Sequence, residues 1–277
     1  MGLKAEGQQD RQGKDRHVEI VVLLKQVPAT ESFITIAPDG RSIKTDDLKW
    51  VINPYDEFAV EEALRIREAQ GGSVTILSVG ADKTVEAIRT ALAMGADRAV
   101  LIKDPLADAC DGLGLARILA AALKQMPHDL IIAGQRAVDD DNFLVGPAVA
   151  EFLAIPNISL VIKEEISDGR IRCHCSVEGG TVVLEAPLPA LITTQRGLNE
   201  PRYASLPGIM KAKKKPLEIK TLADFGLTAE SLGDPAVRIA SLSVPPSRKG
   251  GRIIQGATAQ EKAAALVKAL REEAKVI

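Results

Sequence analysis

The residue types best suited to chemistry lie between Gly134 and Val145, in the segment G-Q-R-A-V-D-D-D-N-F-L-V, directly after an apolar run. Gly134 leaves room where a ligand would approach the backbone. The segment then leads into a predicted helix, Phe143–Leu153, whose free N–H groups suit a phosphate. Aspartate carboxylates can accept hydrogen bonds from ribose hydroxyls or cap a helix. The pattern indicates a nucleotide site, with the alternative that the aspartates only cap a solvated turn.

Other reactive residue types do not form a centre. Cys173-His174-Cys175 has the composition of a metal motif, but on a strand its two cysteines face one side and its histidine faces the other. No second cysteine pair completes four-coordinate zinc. The sequence shows no G-x-x-x-x-G-K-[ST] loop, and no nucleophile–base arrangement stands out. We therefore predict no metal site, no catalytic residues and no enzyme activity.

A second unusual segment runs from Leu198 to Lys215. It has neither the period of a helix nor the alternation of a strand, and Pro201, Pro207 and Gly208 interrupt it, so we expect an exposed loop. Its centre carries four large apolar side chains: Tyr203, Leu206, Ile209 and Met210. Large apolar side chains on a surface loop indicate a docking site. The alternative is a loop that folds them back onto its own domain.

Alternating strands and helices must position these segments. The predicted strands Glu19–Leu24, Val74–Val79, Ala99–Ile102 and Asp129–Ala133 are separated by predicted helices, including Thr84–Met94. This order implies βαβ units and an α/β fold with a doubly wound, mostly parallel sheet. Ligands bind such sheets where the strand order reverses. We therefore expect the ends of the first and fourth strands to flank a crevice. A helix should begin at Asn53-Pro54, capped by the asparagine.

The pattern changes after Pro156. Ser159–Ile166 and Arg170–Val177 form a predicted hairpin, and with Thr181–Ala186 and Ala190–Thr194 they would extend the sheet antiparallel at one edge. Later prolines suit an arm that wraps a partner. We divide the chain into a disordered N-terminal extension (1–17), a nucleotide-binding α/β domain (18–195), a recognition loop (196–216), and a C-terminal arm with a final helix (217–277).

Composition limits the function classes. The chain of 277 residues has a net charge of −2, 3% aromatic residues and three cysteines. Near-neutral charge and few aromatic residues argue against nucleic acid. An odd, small number of cysteines indicates a reducing compartment. No run approaches the roughly 20 apolar residues of a membrane span, and no signal peptide is evident. We expect a cytoplasmic protein that does not insert into membranes.

The docking segment also carries a resemblance. N-E-P-R-Y-A-S-L-P-G-I-M-K-A-K-K-K resembles the recognition loop of electron-transfer flavoprotein β subunits, and the similarity runs from about Val18 to the C-terminal helix. The resemblance implies an adenine-nucleotide α-hydrolase-like fold and an electron carrier that pairs with an FAD-bearing α subunit. It implies transfer from flavin dehydrogenases, such as the acyl-CoA dehydrogenases of fatty acid oxidation, to a quinone oxidoreductase. The implied recognition residues are Tyr203, Leu206, Pro207, Ile209, Met210 and Lys211, with Leu206 entering a pocket on the dehydrogenase.

The nucleotide segments resemble the same family. G-Q-R-A-V-D-D-D-N is similar to its adenosine-phosphate loop, and V-I-N-P-Y-D-E-F-A-V-E-E-A to its second nucleotide segment. In the family these surround a structural AMP, and Tyr55 matches an aromatic position near the α-subunit flavin. The implied AMP-binding residues are Leu23, Asn53, Pro54, Tyr55, Asp56, Val79, Gly134, Gln135, Arg136, Ala137, Val138, Asp139, Asp140, Asp141, Asn142, Phe143, Leu144 and Val145.

Two departures from the family qualify the resemblance. Many members have polar side chains where this chain has Phe143-Leu144-Val145, which leaves only backbone N–H groups for a phosphate. Ser176 stands where some members have an acidic residue that helps control domain motion. A subgroup binds a second FAD in the β subunit and bifurcates electrons, typically with Asp-Gly-Asp in the loop; Asp139-Asp140-Asp141 favours AMP instead. A stand-alone adenine-nucleotide sensor and a nucleotide-dependent transferase are the remaining alternatives.

Overall fold

The computed structural model describes residues 17–246 and 250–277, so the predicted extension at 1–17 lies outside the described residues except for His17. The strands in these ranges are β1 (Val18–Leu23), β2 (Gln26–Pro28), β3 (Trp50–Ile52), β4 (Gly72–Val79), β5 (Arg98–Ile102), β6 (Leu130–Gly134), β7 (Asn157–Ser167), β8 (Arg170–Val177), β9 (Gly180–Pro187), β10 (Ala190–Thr194) and β11 (Leu217–Lys220). The α-helices are α1 (Pro54–Gln70), α2 (Thr84–Met94), α3 (Pro105–Asp108), α4 (Gly112–Leu123), α5 (Val145–Leu153), α6 (Leu206–Ala212), α7 (Ala229–Leu232) and α8 (Ala259–Lys268).

The main sheet has nine strands in the order β11-β5-β4-β1-β6-β10-β7-β8-β9. The strands from β11 to β7 are parallel, whereas β8 and β9 continue the sheet antiparallel. The predicted α/β class with a mostly parallel sheet and an antiparallel edge extension is confirmed. After β1, the chain adds β4 and β5 on one side of that strand, and β6 then pairs with β1 on its other side. The strand order therefore reverses between β1 and β6, as expected.

Two buried layers cover the faces of the sheet. Ile20 and Val22 of β1 pack in one layer with α1 and α2, whereas Val21 and Leu23 pack in the other with α4 and α5. This alternation follows from the two-residue period of a strand. Burial on both faces explains why β1 is apolar without interruption from Ile20 to Leu23. Within the described parts of the chain, no helix is long and apolar enough to cross a bilayer.

The prediction for β10 was wrong in its placement. We expected it to belong to the antiparallel extension, but β10 lies inside the sheet and pairs parallel with β6 and β7. All five of its residues are buried. The reason is that Ala190–Thr194 has no strongly polar side chain, so it suits a position covered on both faces. The extension consists of β8 and β9 alone, joined to β7.

The C-terminal segment begins as part of the sheet. Leu217–Lys220, which we assigned to the arm, forms the edge strand β11 beside β5. Leu222 and Leu232 are then buried in the layer that contains α4. After Leu232 none of the described residues is buried, including those of α8. A π-helical turn at Ala269–Ala274 completes the predicted final helix.

The segment predicted as an irregular loop contains the helix α6. Ser205 caps this helix by accepting a hydrogen bond from the N–H of Gly208 at 3.1 Å, and Pro207 lies in its first turn. A Cβ at Gly208 would lie 2.5 Å from the carbonyl oxygen of Ala93, so the glycine lets α6 approach α2. Apolar periodicity could not find α6 because its apolar side chains are exposed. Its capping residues were the usable signal.

The Cys173-His174-Cys175 motif packs as strand residues. Cys173 and Cys175 are free and buried, and His174 lies on the opposite face of β8. Burial raises the pKa of Cys173 to about 12, which keeps it a neutral thiol. Over residues 17–246 and 250–277, no group of three His, Cys, Asp or Glu side chains is placed to hold a metal ion.

Candidate functional site

A cleft lies where the strand order reverses, beyond the carboxyl ends of β1 and β6. The beginning of α1 forms one wall, and the loop from Gly134 to Leu144 forms another before α5 begins. Twelve of the predicted nucleotide residues line it: Leu23, Asn53, Asp56, Val79, Gly134, Gln135, Arg136, Ala137, Asp140, Asn142, Leu144 and Val145. The structure therefore brings segments from four parts of the chain to one place.

Six predicted residues lie outside the cleft lining: Pro54, Tyr55, Val138, Asp139, Asp141 and Phe143. Seven further lining residues were not among the predicted nucleotide contacts: Leu24, Lys25, Leu77, Leu115, Leu119, Ala133 and Gly146. Leu24, Lys25 and Ala133 belong to the two strand ends that were expected to flank the crevice. Lys25 directly follows β1, so its place at the reversal of strand order was a usable signal. Leu115 and Leu119 come from α4, and only the packing of that helix against the sheet places them in the cleft.

Asp56 joins the elements that form the cleft. Its carboxylate accepts hydrogen bonds from the N–H of Lys25 (2.7 Å), the N–H of Gly134 (3.1 Å) and the side-chain amide of Asn53 (2.9 Å). These bonds connect β1, β6 and the beginning of α1. Burial raises the pKa of Asp56 to about 7, and the three hydrogen bonds oppose that rise. Both carboxylate oxygens are used within the protein, so Asp56 shapes the cleft.

Asn53 occupies the N-cap position of α1 but does not cap it through its side chain. Its amide group donates to the carbonyl oxygen of Arg136 at 2.9 Å, and its oxygen accepts from the N–H of Val138 at 3.2 Å. The expected capping role was therefore wrong. The side chain instead binds the loop after β6, because that loop presents an unpaired carbonyl and N–H directly opposite.

Gly134 lines the cleft, and its missing side chain also has a packing role. We expected it to make room for a ligand, but a Cβ there would collide with the carboxylate of Asp56 and lie 2.8 Å from the Cβ of Tyr55. The missing side chain therefore allows the beginning of α1 to approach β6.

Replacement of Gly134 by alanine is expected to lower the free energy of unfolding by about 2 kcal/mol, because overpacked sites force backbone shifts. Gly180→Ala is the matched control, since a Cβ at Gly180 has no neighbour within 4 Å. Urea denaturation of both variants measures the difference. Equal stability of the two variants would contradict this close-approach role.

Lys25 neutralises part of the aspartate run. Its Nζ lies 2.9 Å from Asp139 Oδ1 and 3.1 Å from Asp140 Oδ2. Burial alone would lower the pKa of Lys25, but its ion pairs with the two aspartates raise it above the ordinary value. The mouth of the cleft therefore carries less negative charge than D-D-D implies, which lessens the repulsion of an anionic ligand.

The aspartates do not cap α5. The helix begins at Val145, and its N-cap residue Leu144 makes no side-chain capping bond. The prediction that the helix includes Phe143 was wrong, because Asp141 and Phe143 adopt left-handed φ values of 54° and 55°. Asp140 does accept from the N–H of Asn142 at 3.5 Å, so a turn-capping role remains open. The first-turn N–H groups of α5, which have no partner within the helix, adjoin the cleft.

Arg136 organises the rim beside the cleft. Its guanidinium donates to Asp141 Oδ2 at 2.7 Å and to the hydroxyl of Tyr55 at 2.8 Å. It also stacks between two aromatic rings, 5.1 Å from the centroid of Tyr55 and 5.2 Å from that of Phe143. Cation–π contacts of this kind hold both rings in place. Arg136 therefore joins Tyr55, Asp141 and Phe143, three predicted residues outside the cleft lining, into one rim.

The docking segment presents its apolar side chains to solvent. Tyr203 is 98% exposed, Leu206 80% and Met210 73%, and Ile209 is 44% exposed. Pro207 and Lys211 are also exposed. The alternative in which these side chains fold back onto their own domain is therefore wrong. The residues form an accessible surface on and beside α6.

Residues 41–225 match the family model described as the electron transfer flavoprotein domain. The electron transfer flavoprotein subunit beta of Bacillus subtilis is 43% identical over 262 residues, which cover 94% of this chain and 100% of that protein. The human protein of the same name is 36% identical over 237 residues, covering 84% and 91%. The caffeyl-CoA reductase-Etf complex subunit CarD of Acetobacterium woodii is 36% identical over 261 residues, covering 92% and 99%.

The family-model match covers β6, the Gly134–Val145 segment and the docking segment, and the Bacillus subtilis relative covers 94% of the chain. They agree with the family resemblance of both segments and with the mostly parallel sheet. The chain therefore belongs to the electron transfer flavoprotein beta subunit family, whose members are electron carriers and not enzymes.

Proposed function

We propose that this β subunit holds AMP in the cleft, supports the FAD of its α-subunit partner, and docks flavin dehydrogenases so that electrons pass to a quinone oxidoreductase. The expected donors are acyl-CoA dehydrogenases. The observation that carries the docking function is the exposure of Leu206 and its apolar neighbours on α6. Such a patch is costly on a free surface and is typical of an interaction site. The three free cysteines suit action in the reducing cytoplasm.

The cleft suits the phosphate of a nucleotide. Val145 and Gly146 begin α5 and line the cleft, and none of the side chains that the structure describes caps that helix end. Helix N-termini bind phosphates through free N–H groups and the helix dipole. The apolar side chains of Phe143-Leu144-Val145 do not prevent this, because the contacts are made by backbone. Lys25 reduces the opposing charge of Asp139 and Asp140.

AMP is favoured over a second FAD in this subunit. The aspartate run differs from the Asp-Gly-Asp of the bifurcating subgroup. The left-handed φ of Asp141 and its bond to Arg136 hold that part of the loop beside the rim formed with Tyr55 and Phe143. AMP binding and binding of a second FAD predict different numbers of FAD and AMP molecules per heterodimer, so a count of the bound nucleotides distinguishes them.

Purification of the chain together with its α partner, followed by release and counting of nucleotides, tests this function. We expect one FAD and one AMP per heterodimer. Two FAD and no AMP would replace the AMP assignment with the bifurcating type. Failure to form any flavin complex would favour the stand-alone sensor.

Variants at Leu144 test where the phosphate binds. Leu144→Glu places a carboxylate beside the N-terminus of α5, whereas Leu144→Gln has the same size without the charge. Bound AMP should be lost from the first variant and retained by the second, with FAD retained by both. Equal AMP content in the two variants would indicate that the phosphate does not bind at this helix end.

A further inference from the structure

The docking helix α6 lies against α2, where Gly208 allows a close approach, but it buries none of its large side chains. It has seven residues, and helices of that length are not stable in isolation. Its large side chains Leu206 and Met210 point to solvent, and Ala212 is its buried residue. Because its large side chains are exposed, contacts beside the helix must help to hold it in place.

Arg202 supplies such contacts just before the helix. Its guanidinium donates to Glu61 at 2.8 and 3.2 Å and to Glu68 at 2.6 and 3.1 Å. Its backbone N–H also donates to Glu61 at 3.2 Å. The planar guanidinium forms paired hydrogen bonds with each of the two carboxylates, a fork geometry that the ammonium group of a lysine lacks. One side chain therefore fixes the docking segment to two positions on α1.

The carboxylate that receives most of these bonds is itself firmly placed. Glu61 is 3% exposed and also accepts from Arg65 at 2.9 Å. Burial alone would raise the pKa of Glu61, but the hydrogen bonds from Arg202 and Arg65 hold it below the ordinary value. A buried, ionised carboxylate with fixed partners gives the segment a rigid attachment point.

Further contacts hold the segment on either side of Arg202. Before it, Asn199 donates to the carbonyl oxygen of Phe58 at 2.9 Å and to Glu62 at 2.7 Å. At the other end of α6, Arg89 of α2 donates to the carbonyl oxygen of Ala212 at 2.6 Å. Of these three hydrogen-bonded attachments, the one made by Arg202 lies closest in sequence to Leu206, so it should influence the position of that side chain most.

We propose that Arg202 is a positioning residue for dehydrogenase docking: its bonds to Glu61 and Glu68 hold α6 so that Leu206 is oriented before the partner arrives. The inference rests on the proposed docking function. When a segment is ordered before its partner arrives, the loss of its conformational entropy no longer opposes binding, so the affinity is higher. The exposed apolar patch then acts as a rigid surface and does not have to fold on contact.

The test uses the flavin-loaded heterodimer and a purified acyl-CoA dehydrogenase as electron donor. Arg202→Ala should raise the KM for the heterodimer about tenfold with kcat and bound FAD unchanged, because only docking is weakened. Amide hydrogen exchange of residues 206–212 should become faster. The KM of Arg202→Lys, which keeps the charge but loses the planar guanidinium, should lie between the values for wild type and Arg202→Ala. Arg202→Lys also provides the test if Arg202→Ala does not fold. Arg170→Ala breaks the Arg170–Glu185 pair of β8 and β9 and is the matched control, expected to leave the KM unchanged.

A double-mutant cycle with Leu206→Ala separates this inference from the docking function. If Arg202 acts through Leu206, the loss from Arg202→Ala should largely disappear in the Leu206→Ala background. Additive losses would overturn the positioning role. A normal KM for Arg202→Ala beside a raised KM for Leu206→Ala would also overturn it and leave docking intact. A normal KM for Leu206→Ala would overturn the docking function itself.

Discussion

Replacement of Leu206 by alanine is expected to slow electron transfer from the dehydrogenase about 30-fold at limiting concentrations of the heterodimer. Central apolar anchors contribute about 2 kcal/mol or more to an interface, and 1.4 kcal/mol corresponds to a factor of ten. The side chain is 80% exposed in the free chain, so its truncation should change neither FAD content nor stability appreciably. Stopped-flow reduction of the heterodimer by the dehydrogenase measures the rate.

Two variants provide controls for the Leu206 prediction. Leu206→Met keeps a large apolar side chain of similar volume and should retain most of the rate. Phe33→Ala removes an apolar side chain that is 89% exposed but lies outside the docking segment, and the rate should stay normal. The assignment of Leu206 as the anchor would be wrong if both alanine variants slowed transfer equally or if neither did.

Replacement of Asp56 by alanine is expected to lower the free energy of unfolding by about 3 kcal/mol at pH 5. The change leaves the N–H groups of Lys25 and Gly134 and the amide of Asn53 without their acceptor, and each unpaired buried donor costs about 1–3 kcal/mol. The cleft should lose its nucleotide as well, because these bonds join β1, β6 and α1. Urea denaturation and nucleotide counting measure the two effects.

The pH dependence of stability gives an independent check on Asp56. Its pKa is about 7 in the folded chain and 3.8 as the ordinary value, so the folded state holds a proton that the unfolded state has released. The contribution of Asp56 to stability is therefore largest below pH 4 and is lost as the pH rises through about 7. Asp56→Asn does not titrate, so the stability difference between wild type and this variant should fall over that range. A constant difference from pH 4 to 8 would contradict the raised pKa.

Local sequence pattern determined most of the secondary structure and the class of fold. The predicted helix Thr84–Met94 has the observed bounds of α2, and the predicted strand Ala190–Thr194 those of β10. These signals are local, because burial of one helix face or both strand faces sets the spacing of apolar residues. The same pattern placed the Gly134–Val145 segment at the end of a strand, where the cleft lies. The exposed side chains of α6 left no such period, so that helix was missed.

Tertiary structure alone decided which residues meet. Arg202 binds Glu61, which is 141 positions away, and Asp56 binds Gly134, which is 78 positions away. The insertion of β10 between β6 and β7 likewise depends on the order of strands across the sheet. Sequence pattern reports whether a residue is buried, but it does not report the distant group that buries it. The cleft and the support of the docking helix therefore became visible only when the strands and helices were packed together.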